Sequence, residues 1–124
     1  MSSIVDILCI TAHPDDVEIS AAGTVVKHVQ AGRRVGIVDL TSGELGTRGN
    51  AELRQREAEA ARQVLGALFR YQLGLRDGFF RADEESLMRV VRSVRRNRPA
   101  VVMSNAVQDR HPDHGRGAAL VAED

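Results

Sequence analysis

In 124 residues, seventeen Lys and Arg balance seventeen Asp and Glu, so no global field draws this chain to nucleic acid or to an anionic membrane. Aromatic residues make up only 3%, which argues against base-stacking, while a hydrophobic share of 43% suits one globular domain over residues 1–124. A single cysteine excludes an internal disulfide, and no segment reaches the ~20 apolar residues that cross a bilayer.

The first residues lack a basic region leading into an apolar stretch, so no secretory signal is expected, and cytoplasm is the expected compartment. Residues 4–11 (IVDILCIT) are mostly apolar and partly β-branched, which predicts a parallel strand covered on both faces, with Cys9 packed as a small hydrophobe. Residues 17–30 read as a helix with Ala22, Val25, Val26 and Val29 inward and Gly32 as its stop. A second strand, 34–41 (RVGIVDLT), runs into a loop rich in Gly, Ser and Thr over 42–50. Asn50 suits the N-cap of a helix over 51–65, ended by Gly66, with Leu53, Glu57, Ala60, Ala61 and Val64 as its inward stripe.

Residues 69–73 (FRYQL) predict a third strand. Leu87, Val90, Val91 and Val94 have helical spacing within 83–97, and Pro99 enforces the exit. The basic cluster Arg89, Arg92, Arg95, Arg96 and Arg98 reads as a solvated outer face, and His28 reads as a surface residue without a partner. Residues 100–104 (AVVMS) form the fourth strand, and His114 opens a last helix that runs to Asp124. With no Gly, Pro or polar tail there, the expectation is the N-terminal part of a longer domain.

This alternation predicts an α/β fold, a doubly wound parallel sheet of order 3-2-1-4 with strand 4 as an exposed edge. Ligands of such sheets bind beyond the carboxyl ends of the strands, where the winding reverses, here between strands 1 and 4. Two motifs emerge at that place. A-H-P-D-D (12–16) and H-P-D-H (111–114) together hold three of the four histidines. A lone His-Pro-Asp turn is more often structural. Two such turns at neighbouring strand ends reverse that judgement.

Pro14 stiffens its turn so that His13 and Asp16 face one point, and His114 completes a His-Asp-His zinc set, with a fourth position left to water. Asp15 then stands free as general base. His111 suits the developing oxyanion, and Asp113 either orients His111 or supports His114 from behind. Glu18, in the first turn of the first helix, either complements the helix dipole or braces the metal loop. Arg54 and Glu57, with Glu44 and Arg48 in the loop before them, are candidate substrate contacts.

The pair A-H-P-D-D-V-E and H-P-D-H resembles the LmbE-like, or PIG-L, superfamily of zinc-dependent N-deacetylases. The segments L-T-S-G-E-L-G-T-R-G and E-L-R-Q-R-E-A-E-A-A look closest to its bacillithiol-biosynthesis branch. The resemblance runs from about residue 7 onward. It implies a Rossmann-like fold, one zinc ion on His13, Asp16 and His114, Asp15 as base, and His111 steadying the oxyanion. It also implies removal of an N-acetyl group from an N-acetylglucosamine-type conjugate. Ala21-Ala22-Gly23 departs from a common Gly-Gly pair, and family members continue well beyond H-P-D-H.

Iron or cobalt are acceptable replacements for zinc in such a donor set. The expected partner is a small N-acetylated amino-sugar molecule, and the chain is expected to form a homo-oligomer. The alternatives are a metal-dependent phosphoesterase, which commonly needs two ions ~3.5–4 Å apart, and a truncated, non-catalytic metal-binding domain. A nucleotide-binding module fits poorly, because the first strand leads into carboxylates rather than G-x-G-x-x-G.

Overall fold

The computed structural model describes residues 4–14, 16–17, 21–42, 51–81, 83–105 and 112–123. The elements are β1 (Ile7–Thr11), α1 (Ala22–Gln30), β2 (Val35–Thr41), α2 (Ala51–Leu65), β3 (Phe69–Leu75), α3 (Glu84–Asn97), β4 (Val101–Ser104) and α4 (Pro112–Glu123). The four strands form one parallel sheet of order β3-β2-β1-β4, the order expected from the sequence. Every residue of β1 and β2 is buried, which explains their continuous apolar runs. On the edge, β4 leaves Val101 and Val102 exposed.

Strand alternation divides the core in two. Leu8, Ile10, Val38 and Leu40 point to one face and pack with Val90 of α3 and Leu120 of α4. Ile7, Cys9, Val35 and Ile37 point to the other and pack with Val25 of α1 and Leu65 of α2. Burial pushes the Cys9 thiol up to about 11, with the nearby Arg70 charge pulling the other way, so Cys9 is an inert core residue. Gly36 is required at its place in β2. A Cβ there would lie 2.2 Å from Cζ of Phe69, whose ring crosses the strand.

The helices differ in detail from their sequence patterns. Asp16 and Val17 are already helical, α1 begins at Ala22, and residues 18–20, including Glu18, lie outside the described residues. The inward stripe of α2 is rotated from the one expected. Ala58 and Leu65 are buried, whereas Leu53, Glu57 and Val64 are exposed, Val64 to 84%. Leu65 wins because Gly66, at φ +81°, turns the chain so that Leu65 and Ala67 enter the α1-side core together.

Asp83 caps α3 by accepting from the Ser86 amide at 2.8 Å, and Pro112, not His114, is the first residue of α4. Arg89 departs from the solvated face expected of it. Its guanidinium donates to the Leu73 carbonyl at 2.9 Å and pairs with Glu85 at 2.7 Å. His28 also has a partner, accepting from Arg33 at 3.1 Å.

Candidate metal centre

The turn after β1 is anchored by the strands on both sides of it. The Ala12 amide donates to Oδ1 of Asn105, just past β4, at 2.9 Å, and the Ala12 carbonyl accepts from the Thr41 amide and hydroxyl, each at 3.0 Å. Asp16 closes the turn by accepting from the His13 amide at 3.0 Å, and it also accepts from Asn105 Nδ2 at 3.3 Å. Parallel pairing of β1 with β4 brings the start of α4 to the same place.

His13, Asp16 and His114 converge there, with one ligand atom from each lying within 4.8 Å of the others. Asp16 Oδ2 lies 3.3 Å from His114 Nε2 and 3.8 Å from His13 Nδ1. Four-coordinate zinc with bonds of ~2.0–2.2 Å holds its ligand atoms about 3.3–3.6 Å apart, so this donor set fits a divalent ion. The two imidazoles lie with ring centroids 5.4 Å apart, their planes tilted at 54°.

The other nitrogen of His13 is also engaged. Nε2 lies 2.9 Å from Oδ2 of Asp113 and 3.0 Å from Oδ1 of Asp77, both buried. A proton on Nε2 is thereby held by carboxylates, which leaves the Nδ1 lone pair for the side where Asp16 and His114 lie. Asp113, fully buried, also accepts from the Gly78 amide at 2.7 Å and from Arg116 at 3.3 Å. It therefore reaches His13, a partner that the sequence pattern did not assign to it. Burial alone would lower the His13 imidazole. Hydrogen bonds to Asp16 and Asp113, with the Asp16 and Asp77 charges, outweigh that and hold it at about 9. Burial would raise Asp16, but hydrogen bonds from the His13 side chain and amide and the His114 and His13 charges hold its carboxyl below the ordinary value.

Of the remaining expected residues, Arg54 is half-buried on the same side of α2 as Ala58 and Leu65, and Glu57 is exposed. Asp15, Glu44, Arg48 and His111 lie outside the described residues. Three groups at the centre have no counterpart among the expected site residues: Asn105, Asp77 and the pair Asp39–Arg70. Asn105 directly follows β4, Asp77 lies two residues past β3, and Asp39 interrupts the apolar run of β2, so polar residues within or just beyond the strands were the available signal. Beside Asp113, a cavity of about 580 Å³ opens between β3, α3 and α4, lined by Arg76, Phe79, Arg81, Arg89 and Arg116 among others.

Comparison with known proteins adds the following. The sequence model of the family PIG-L: GlcNAc-PI de-N-acetylase matches residues 8–123. The diacetylchitobiose deacetylase of Thermococcus kodakarensis is 29% identical, over 94% of this chain and 48% of that protein. The 4-oxalmesaconate hydratase of Pseudomonas putida is also 29% identical, over 94% of this chain and 50% of its own length. Among solved structures, the conserved protein TT1542 from Thermus thermophilus superposes with a TM-score of 0.92 at 38% identity, over 96% of this chain and 54% of that one. The chain thus spans about half the length of the relatives it matches.

Proposed function

The chain belongs to the PIG-L, GlcNAc-PI de-N-acetylase, family, and from that membership we propose that it serves a metal-dependent hydrolase. The substrate is an N-acetylglucosamine-type conjugate, and the reaction releases acetate and a free amine. The convergence of His13, Asp16 and His114 is the single observation that carries this reading. These three residues would hold one divalent ion, zinc or a replacement such as iron or cobalt. When bound, such an ion lowers the pKa of water to near 7 and polarises the acyl oxygen.

The chain's own residues supply the rest of the chemistry. Asp15, between Pro14 and the ligand Asp16, takes the proton of the attacking water and passes it to the departing amine. His111, next to Pro112 at the start of α4, stabilises the oxyanion as the water oxygen bonds to the acyl carbon and the C–N bond breaks. Asp113 and Asp77 hold His13 in its ligating tautomer. Arg54, Glu57, Glu44 and Arg48 remain the proposed contacts to the sugar, and of these the half-buried Arg54 has the better support.

A phosphoesterase would ask for two ions. The two donor groups among the described residues share His13, and the Asp77 and Asp113 carboxylates sit on its Nε2, which favours a single ion. The equally similar hydratase supports a second reading, in which the activated water adds to a carbon–carbon double bond.

An assay separates the two. The purified chain is offered N,N'-diacetylchitobiose, N-acetylglucosaminyl-malate and simple N-acetylglucosamine conjugates, with and without chelator. Chelator-sensitive amine release supports the deacetylase. Its absence, with chelator-sensitive loss of 4-oxalmesaconate absorbance, supports the hydratase.

A further inference from the structure

One pair of charges in the protein interior takes no part in the chemistry described above. Asp39 of β2 and Arg70 of β3 are 0% and 1% exposed at their side chains. Arg70 Nε donates to Asp39 Oδ2 at 2.8 Å and Nη2 to Oδ1 at 3.0 Å, a bidentate pair. Asp39 also accepts from Gln72 Nε2 at 3.1 Å, and Gln72 in turn accepts from Gln55 of α2. All lie on the α1 and α2 side of the sheet, where Asp39 is in register with both Thr11 of β1 and Gln72 of β3.

Folding alone does not call for such a pair. Burying two charges costs several kcal/mol per ion, and an apolar pair of similar volume is often as stable. What the pair does beyond filling space is reach out of the sheet. Arg70 Nη2, while holding Asp39, donates to the carbonyl of Pro14, the central residue of the His13–Asp16 turn. We propose that Arg70, locked by Asp39, is a positioning residue that fixes the Pro14 carbonyl and thereby aims His13 and Asp16 at their common point.

The neighbouring anchors make the same case. Asn105, just past β4, fixes the Ala12 amide, Thr41 of β2 fixes the Ala12 carbonyl, and Arg70 of β3 fixes the Pro14 carbonyl two residues on. Each of the other three strands, at its own residues or just past its end, thus holds one point of the turn. Arginine suits the third anchor because its planar fork binds a carboxylate with one edge and keeps a donor for a second acceptor. A lysine ammonium offers no such fork.

The inference rests on the metal reading of the site, and its test separates the two. Cobalt(II) is titrated into the metal-free chain by competition with a chromophoric chelator, alongside its visible spectrum and thermal unfolding. The double variant Asp39→Leu/Arg70→Met removes both charges together, so its unfolding midpoint stays near that of the parent protein. Its cobalt affinity falls about 10–100-fold and its spectrum shifts, the range found when groups behind metal ligands are removed. Arg70→Lys keeps the charge without the fork and falls between the parent and the double variant.

A parent protein that binds no cobalt overturns the metal reading, and this inference with it. A parent protein that binds, with a double variant of equal affinity and identical spectrum, overturns the positioning role alone. If the double variant does not fold, Arg70→Lys decides by the same comparison.

Discussion

Nε2 of His13 lies 2.9 Å from Oδ2 of Asp113, a residue one hundred positions later in the chain. The contact joins the loop after β1 to the first turn of α4 across the point where the sheet reverses its winding. It therefore links the two His-Pro-Asp motifs before any ion is considered. Asp113→Ala should remove one of the two carboxylates that hold His13 Nε2 and leave the Gly78 amide without its acceptor. Zinc affinity is expected to fall about 10–100-fold, read by chelator competition, and Asp113→Asn should fall less.

The roles proposed for the two carboxylates of the first motif differ, and so should their variants. Asp15→Ala is expected to retain zinc and lose nearly all turnover, whereas His13→Ala should lose the metal. Metal content by elemental analysis, measured beside amine release, checks both. Zinc loss in a folded Asp15→Ala would mean that the roles are wrongly divided.

His111→Ala is expected to lower kcat with little change in KM, because its proposed contact forms as charge develops on the acyl oxygen. Steady-state kinetics on an N-acetylglucosamine conjugate check this. An unchanged kcat would remove His111 from the mechanism.

The pH dependence of the metal-free protein follows from His13. Its value rises from 6.5 to about 9 in the folded chain, so folding favours the protonated ring. The stabilisation is fully present below pH 6.5 and is lost as pH climbs through 9. Asp16 has the opposite sign. Its carboxyl is held below 3.8, so its contribution is present above that pH and is lost as pH falls through the lowered value. The same proton competes with an ion for the His13–Asp16 pair, so apparent zinc affinity should increase from pH 6.5 towards 9. Unfolding and zinc titrations across this range check the two trends together.

A packing prediction concerns the sheet rather than the site. Gly36→Ala drives a methyl group into the Phe69 ring and should cost about 1–3 kcal/mol by denaturant unfolding. Adding Phe69→Leu should return part of that loss.

The architecture was legible because its signals are local. β1 and β2 are buried on both faces and therefore read as unbroken apolar runs, and Gly66 and Pro99 mark real helix ends. The meeting of His13, Asp16 and His114 followed from strand order, since only β1 and β4 present their loops to the reversal point. The stripe of α2 was not legible. Its alanine-rich sequence carries two offset apolar rows, and the choice between them is made by Gly66 and the core beneath Leu65.

Nor were the polar supports legible. Asp39 and Arg70 sit in different strands, and only parallel pairing of β2 with β3 brings them together. A lone charge within a strand was the available sign, in the apolar VGIVDLT and again in FRYQL.

The central claim is that His13, Asp16 and His114 share one divalent ion. Anomalous diffraction at the zinc edge, from crystals of the zinc-loaded chain, tests it most directly. The account predicts one peak per chain, at about 2.0–2.2 Å from His13 Nδ1, an Asp16 carboxylate oxygen and a His114 ring nitrogen. A peak held instead by Asp77 and Asp113, or no peak in a folded protein at saturating zinc, would contradict it.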